Sequence, residues 1–210
     1  MNPKQGKMDN SQEKLYDLKS TFSTLPNYLT LLRIILVPFF VLALLKHKQG
    51  EAFFIFLAAG LTDVLDGLVA RLWHQKSVAG LWLDPLADKL LLFSSYFMLC
   101  FSEYASPNLI PWRVFWVVLG KDLLIVIGAL VLLVLKKKTN FPPTYLGKTS
   151  TVCQVLTVAA VLFFNFLGRE TGLLAWLYDL TVLATVVAGL QYIWIGISAL
   201  VKSKAGTNLI

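Results

Sequence analysis

Four aspartates lie within one stretch, Thr62 to Lys89, of an otherwise apolar chain. Asp63 and Asp66 are three residues apart, and Asp84 and Asp88 are four apart. Both spacings place the two carboxylates of a pair on one face of a helix, and two such helices joined by a short turn would bring the pairs together. Four carboxylates in a low-dielectric setting repel one another and need cations between them. Oxygen ligands favour magnesium, manganese or calcium, so the stretch predicts a two-metal carboxylate site at a membrane face.

The composition around this stretch is that of a membrane protein. The 210 residues are 57% hydrophobic and only 15% charged, whereas soluble domains carry about 25% charged residues. The apolar runs approach the roughly 20 residues that a membrane-spanning helix needs. The sequence therefore predicts an all-α polytopic membrane protein with six transmembrane helices. The net charge of +7 suits contact with anionic lipid headgroups, and no basic, aromatic-rich soluble module is present to bind nucleic acid.

Residues 24–204 form the predicted membrane domain, and residues 1–23 form a polar N-terminal segment. For that segment a short interfacial helix over roughly 11–23 and disorder up to about residue 10 are both open. The third span starts either at Asp84, as a cap before Pro85, or near Ser77 with Pro85 bending the helix. The predicted spans are about Leu25–Leu45, Glu51–Trp73, a third that ends near Tyr104, Pro111–Leu135, Thr149–Leu167 and Leu173–Val201.

The basic residues predict the orientation of these spans. With the N-terminus in the cytoplasm, 13 of the 19 Lys and Arg residues lie inside, four lie outside, and Arg33 and Lys121 fall within spans. Loops rich in Lys and Arg stay on the cytoplasmic side, so both termini and the aspartate stretch are expected at the cytoplasmic face of a bacterial inner membrane. This orientation follows from the basic residues alone.

The aspartate stretch also has the form of a known signature. It is Asp63-x-x-Asp66-Gly67-x-x-Ala70-Arg71, then eight residues, then Gly80-x-x-x-Asp84-x-x-x-Asp88. This pattern resembles the signature of the CDP-alcohol phosphotransferase family at all its fixed positions. The segments LPNYLTLLRI in the first span, DPLADK after the third aspartate and LGKTSTVCQ at the fifth span extend the resemblance over nearly all residues beyond 1–23.

The resemblance implies a six-helix membrane bundle, usually a homodimer, that transfers a substituted phosphoryl group from a CDP-linked donor to an alcohol and releases CMP. It implies two divalent cations, Mg²⁺ or Mn²⁺, held by Asp63, Asp66, Asp84 and Asp88, with Asp88 also the general base for the acceptor hydroxyl. The CDP-binding residues that it implies are Asn27, Thr62, Gly67, Ala70, Arg71 and Gly80.

The acceptor is harder to predict than the donor. The first span and the DPLADK segment are similar to phosphatidylglycerophosphate synthases, which use CDP-diacylglycerol and glycerol 3-phosphate. AGLTDVLDG and Asp122 are similar to cardiolipin synthases, which use phosphatidylglycerol as acceptor. Both groups generally carry arginine where this chain has Lys121, and lysine offers a point charge instead of a bidentate fork.

Arg33, Lys121 and Lys148 are the candidate acceptor-binding residues. Each also has an ordinary structural interpretation: Arg33 snorkels to the headgroups, Lys121 pairs with Asp122, and Lys148 belongs to the cytoplasmic excess of positive charge. Glycerol 3-phosphate is the favoured acceptor and phosphatidylglycerol the alternative.

An ion-coupled transporter is the rival from another class, because acids within a membrane also mark ion paths. Transporters more often show inverted repeats and helices broken at the midplane. Here the acids cluster near one face within a short window, which favours the enzyme. A non-catalytic membrane scaffold is a third, weaker interpretation.

Overall fold

The computed structural model describes residues 25–72, 80–101, 103–134 and 144–205. Side chains are described in these ranges except at 25–27, 64, 66–72, 80–85, 129, 132–134 and 199–205. The predicted N-terminal segment 1–23 lies outside the described residues. The described part is all-helical and contains six helices: α1 (Leu25–Leu45), α2 (Gln49–Leu72), α3 (Gly80–Leu99), α4 (Trp112–Val134), α5 (Tyr145–Phe166) and α6 (Leu173–Ala205).

The helix boundaries follow the apolar runs, with informative differences. Helix α5 begins four residues before its predicted start at Thr149, because the Thr144 side chain accepts a hydrogen bond from the Gly147 amide and caps the helix. Helix α3 begins at Gly80 and contains Pro85, close to the alternative in which the helix starts before the proline. Helix α6 runs through Asp179 without interruption.

The six described helices pack as a closed ring. Helix α1 packs against α2 and α3, α2 continues to α5, α5 to α6, and α6 to α4. The ring closes where α4 meets α3, and this is the lightest of these contacts. Helix α3 therefore owes its position chiefly to α1.

A pair of asparagines holds the end of the bundle opposite the aspartates. The Asn165 Oδ1 accepts from the Asn108 amide at 2.8 Å and from the Asn108 Nδ2 at 2.9 Å, and the Asn165 Nδ2 donates to the Asn108 carbonyl at 3.0 Å. The Asn108 Nδ2 also donates to the Arg169 carbonyl at 2.8 Å. The loop before α4 is thereby bonded to the end of α5 and the turn that follows it.

Apolar side chains cover much of the outside of the bundle, among them Phe39, Trp116, Leu183 and Trp194. Within the described residues, three helical segments are long and apolar enough to cross a membrane: Tyr28–Leu45, Tyr145–Phe166 and Leu173–Ser198. An exterior of this kind matches a hydrocarbon surrounding, in which backbone groups must be satisfied within each helix.

Replacing Asn165 with alanine should destabilise the protein. Both Asn165 and Asn108 are buried, and the substitution strips buried Asn108 donors of their acceptor, at a cost of about 1–3 kcal/mol. Thermal unfolding in detergent should show a lower midpoint than the wild type. The exposed Thr149 on the same helix supplies a control, Thr149→Ala, and equal midpoints for the two variants would contradict the structural role.

Candidate active site

Three helices bring Arg33, Asp63 and Asp88 together at one point. The Arg33 Nη1 lies 3.1 Å from the Asp63 Oδ1 and also donates to the Asp88 Oδ1. The Arg33 side chain is only 1% exposed, whereas the Asp63 and Asp88 side chains are 50% and 41% exposed. A buried guanidinium therefore bridges two carboxylates that face an opening.

The level of each residue in its helix explains this convergence. Arg33 stands eight residues after the start of α1, Asp88 eight after the start of α3, and Asp63 nine before the end of α2. At 1.5 Å per residue each is about 12–14 Å from the same end of the bundle. Helices that run up, down and up thus present the three side chains at one depth.

Among the described side chains at this point, carboxylates outnumber guanidinium groups. One guanidinium, that of Arg33, faces the two carboxylates of Asp63 and Asp88. The backbones of Asp66 in α2 and Asp84 in α3 place two further aspartates on the same helices. Carboxylate oxygens are hard ligands, and an excess of them in an apolar bundle fits a divalent cation of the magnesium or manganese type.

A cavity of about 310 Å³ opens beside the carboxylates. Helices α1, α2, α3 and α5 all contribute to it, and most of its wall is apolar. Its lining residues are Arg33, Phe56, Ala59, Gly60, Asp63, Asp88, Leu91, Leu92, Thr151, Val152, Val155 and Leu156. The site therefore combines a charged end with an apolar wall, which suits a molecule that has an anionic head and a hydrocarbon tail.

Several predicted ligands have side chains outside the described part of the structure. Their backbones lie in α1, α2 and α3, and they are Asn27, Asp66, Gly67, Ala70, Arg71, Gly80 and Asp84. Among the described side chains, no group of three or more His, Cys, Asp or Glu could hold a metal ion. The four-aspartate metal set accordingly stays a prediction, with Asp63 and Asp88 its described members.

Thr62 is buried, and its hydroxyl donates to the Ala59 carbonyl at 2.6 Å. This bond lies within α2, one turn back along the helix. The predicted contact of Thr62 with CDP stays a prediction.

The predicted acceptor-binding residues do not share one position. Arg33 lines the cavity, while Lys121 and Lys148 are not among its described lining residues. The Lys121 side chain is 3% exposed, and its Nζ lies 3.3 Å from an Asp122 carboxylate oxygen and 3.5 Å from the Ser150 Oγ. Lys148 is exposed in the first turn of α5. The predicted Lys121–Asp122 pairing is present.

Two connections escaped the sequence analysis. One is the bridge from Arg33 to Asp63 and Asp88. The other is an ion pair between the Lys89 Nζ and the Asp122 Oδ1, at 2.6 Å, which joins α3 to α4. The sequence carries no signal for either connection, because spacing along one chain does not say which helices are neighbours.

Comparison with known proteins settles the family. The sequence profile of the CDP-alcohol phosphatidyltransferases matches residues 23–197. The chain belongs to this family. The resemblance predicted from the aspartate signature is confirmed, and the transporter interpretation has no support. Family membership and the long apolar helices together indicate an integral membrane protein.

The chain is similar to relatives whose names give two different activities. The CMP-forming cardiolipin synthases of Rattus norvegicus and Homo sapiens are 33% and 30% identical to it over 68% and 80% of the chain. The chain spans 52% and 60% of the length of these two relatives. The CDP-diacylglycerol–glycerol-3-phosphate 3-phosphatidyltransferase of Escherichia coli (strain K12) is 32% identical over 80% of this chain and 92% of its own length.

Replacing Arg33 with glutamine should destabilise the cation-free protein by about 1–3 kcal/mol, because Asp63 and Asp88 lose the charged donor that they share. Thermal unfolding in detergent, with EDTA or with Mn²⁺, measures this effect. Mn²⁺ should raise the midpoint of Arg33→Gln more than that of the wild type, since the variant has more uncompensated negative charge.

Arg113→Gln is the matched control, because Arg113 pairs with Asp179 at 2.7 Å in an exposed position, where an ion pair contributes at most about 1 kcal/mol. An identical response of the two variants to Mn²⁺ would contradict the charge argument.

Proposed function

We propose that this protein transfers a phosphatidyl group from CDP-diacylglycerol to an alcohol, with glycerol 3-phosphate as the favoured acceptor, and releases CMP. The observation that carries the proposal is the convergence of Asp63 and Asp88 at the charged end of an apolar cavity, in a member of the CDP-alcohol phosphatidyltransferase family.

The cavity supports a lipid donor. Phe56, Leu91, Leu92 and Val155 provide a wall for a hydrocarbon chain, and burial of each CH₂ group contributes about 0.8 kcal/mol. The diphosphate of the donor then lies toward the aspartates. The CDP contacts that we assign involve Asn27, Thr62, Gly67, Ala70, Arg71 and Gly80, whose small members leave room for the nucleotide.

A dianionic diphosphate does not approach bare carboxylates, so the proposal includes two divalent cations, Mg²⁺ or Mn²⁺. Asp63, Asp66, Asp84 and Asp88 would hold them through carboxylate oxygens. When bound, such cations neutralise phosphate charge and stabilise the departing CMP. The excess of described carboxylates over the Arg33 guanidinium supports this assignment.

Asp88 is the residue that we assign as general base. It lines the cavity, its side chain is partly exposed, and Arg33 orients it from the buried side. The acceptor hydroxyl gives its proton to Asp88 as its oxygen bonds to the phosphorus nearer the lipid. The bond from that phosphorus to the bridging oxygen breaks, and CMP leaves with that oxygen.

Phosphatidylglycerol is the second candidate acceptor, which would make the chain a cardiolipin synthase. The names of the rat and human relatives favour it. The name of the E. coli relative, which the match covers almost fully, favours glycerol 3-phosphate. Both acceptors carry a phosphate, for which Arg33, Lys121 and Lys148 are the cations that we assign.

The membrane arrangement belongs to the same proposal. All six helices cross the membrane, both termini are cytoplasmic, and the active site faces the cytoplasm, as the distribution of Lys and Arg predicts. The enzyme acts as a homodimer.

Purified protein in detergent should release CMP from CDP-diacylglycerol only when an acceptor and Mg²⁺ or Mn²⁺ are present, and EDTA should stop the release. Glycerol 3-phosphate and phosphatidylglycerol, offered separately with labelled donor, distinguish the two activities by the lipid formed. Inositol phosphate and serine serve as additional acceptors. Absence of CMP with every acceptor would overturn the proposed function.

Asp88→Asn should lower CMP release by at least about 100-fold, because general-base catalysis typically contributes 10²–10⁴-fold. The control is Asp179→Asn, the same change in an exposed aspartate that pairs with Arg113, which should leave the rate unchanged. Robust transfer by Asp88→Asn would remove Asp88 from the role of base.

A further inference from the structure

In the ring of helices, the backbones of α3 and α4 approach each other at the fewest points. Helix α3 carries Asp88, so its placement governs the active site. Its strong neighbour is α1, which holds Asp88 through Arg33. What fixes the other side of α3 therefore matters for the geometry of the site.

Aromatic rings fill the half of the boundary between α3 and α4 that lies away from the carboxylates. The Phe97 and Phe101 rings of α3 and its following turn meet the Trp112 ring edge-on, with centroids 6.3 and 5.3 Å apart. Phe93 and Phe115 lie 5.9 Å apart, one step nearer the active site. These contacts hold the far end of α3 against the start of α4.

At the level of Asp88 the contact between α3 and α4 is ionic instead of aromatic. The Lys89 Nζ lies 2.6 Å from the Asp122 Oδ1 on α4. The Lys121 Nζ lies 3.3 Å from the same oxygen and 3.5 Å from the Ser150 Oγ on α5. One carboxylate thus binds two lysines and connects α3, through α4, to the interior of the bundle.

The two ion pairs on α3 act on adjacent residues. Asp88 contacts α1 and Lys89 contacts α4, and successive residues in a helix are about 100° apart around its axis. The two ion pairs therefore hold one turn of α3 from two directions. If the Lys89 contact is lost, that turn keeps its packing against α1 and α5 but loses its ion pair to α4, and we expect Asp88 to be held less precisely.

We propose that Asp122 is a positioning residue for Asp88 and acts through Lys89. This inference rests on the proposed function in which Asp88 is base and metal ligand. It differs from a role for Asp122 in substrate contact, because in this role Asp122 acts on the active site by holding α3. Residues that orient a metal ligand typically change metal affinity or activity by about 10- to 100-fold when they are replaced.

The test uses the full chain in detergent, with Mn²⁺ binding followed by electron paramagnetic resonance and CMP release measured in parallel. Asp122→Asn and Lys89→Met should each weaken Mn²⁺ binding by about 10-fold and lower kcat by a similar factor. The KM for CDP-diacylglycerol should stay within about twofold. Asp122→Glu and Lys89→Arg, which keep the charges, should recover most of both losses.

The double variant Lys89→Met/Asp122→Asn separates positioning from substrate contact. If Asp122 acts through Lys89, the double variant is no worse than either single variant, because residues that act through one contact are not additive. The inference would be overturned if the losses of Mn²⁺ binding and kcat in the double variant were the product of those in the single variants. It would also be overturned if Lys89→Met had no effect while Asp122→Asn lowered both. Lys89→Met alone carries the comparison if Asp122→Asn does not fold.

Asp179→Asn supplies the matched control, since Asp179 also accepts an interhelical ion pair, from Arg113 at 2.7 Å, but not beside Asp88. It should change neither Mn²⁺ binding nor kcat. Wild-type protein that binds Mn²⁺ but transfers nothing would refute the proposed function, and weaker Mn²⁺ binding in the two variants would still support the positioning role. If the wild-type protein is active and the Asp122→Asn and Lys89→Met variants match it in Mn²⁺ binding and kcat, the inference is refuted and the proposed function stands.

Discussion

Negative charge inside an apolar bundle is the constraint on which this structure depends. A charge removed from water is costly unless a partner compensates it, and here the partly exposed carboxylates of Asp63 and Asp88 compensate the buried guanidinium of Arg33. To make that contact, α1, α2 and α3 must hold three residues at one depth. Among the described side chains the two carboxylates outnumber the guanidinium, and this excess is the basis on which we propose divalent cations and a phosphate-bearing substrate at this position.

Polar side chains at the two ends of the bundle are satisfied by different kinds of contact. Neutral hydrogen bonds between Asn108 and Asn165 hold the far end. In the interior, Gln154 donates to the Ser150 and Thr185 hydroxyls at 3.2 Å. At the level of the carboxylates the contacts between helices are ionic. Three of the four described ion pairs between helices lie at this level, and the fourth, between Arg113 and Asp179, lies toward the other end of the bundle.

Much of the fold was predictable, because apolar runs of about 20 residues have few structural options in a membrane. The start of α5 was less so, since the cap formed by Thr144 is a local detail that hydropathy does not report. The aspartates were recognisable from their spacing. Their partners were not: Arg33 is 30 residues from Asp63, and Lys89 is 33 from Asp122. Such pairs depend on which helices become neighbours, and this follows from packing of the whole chain.

The wall of the cavity determines which concentration of a lipid substrate the protein would respond to. Val152 and Leu156 line the cavity and are among the exposed apolar side chains of the bundle, and from this we infer that the cavity opens sideways toward hydrocarbon. A lipid that arrives by this route diffuses in two dimensions, and its availability is set by its mole fraction in the bilayer. Dilution with inert lipid would then slow its arrival at constant bulk concentration, whereas a water-soluble acceptor would be unaffected.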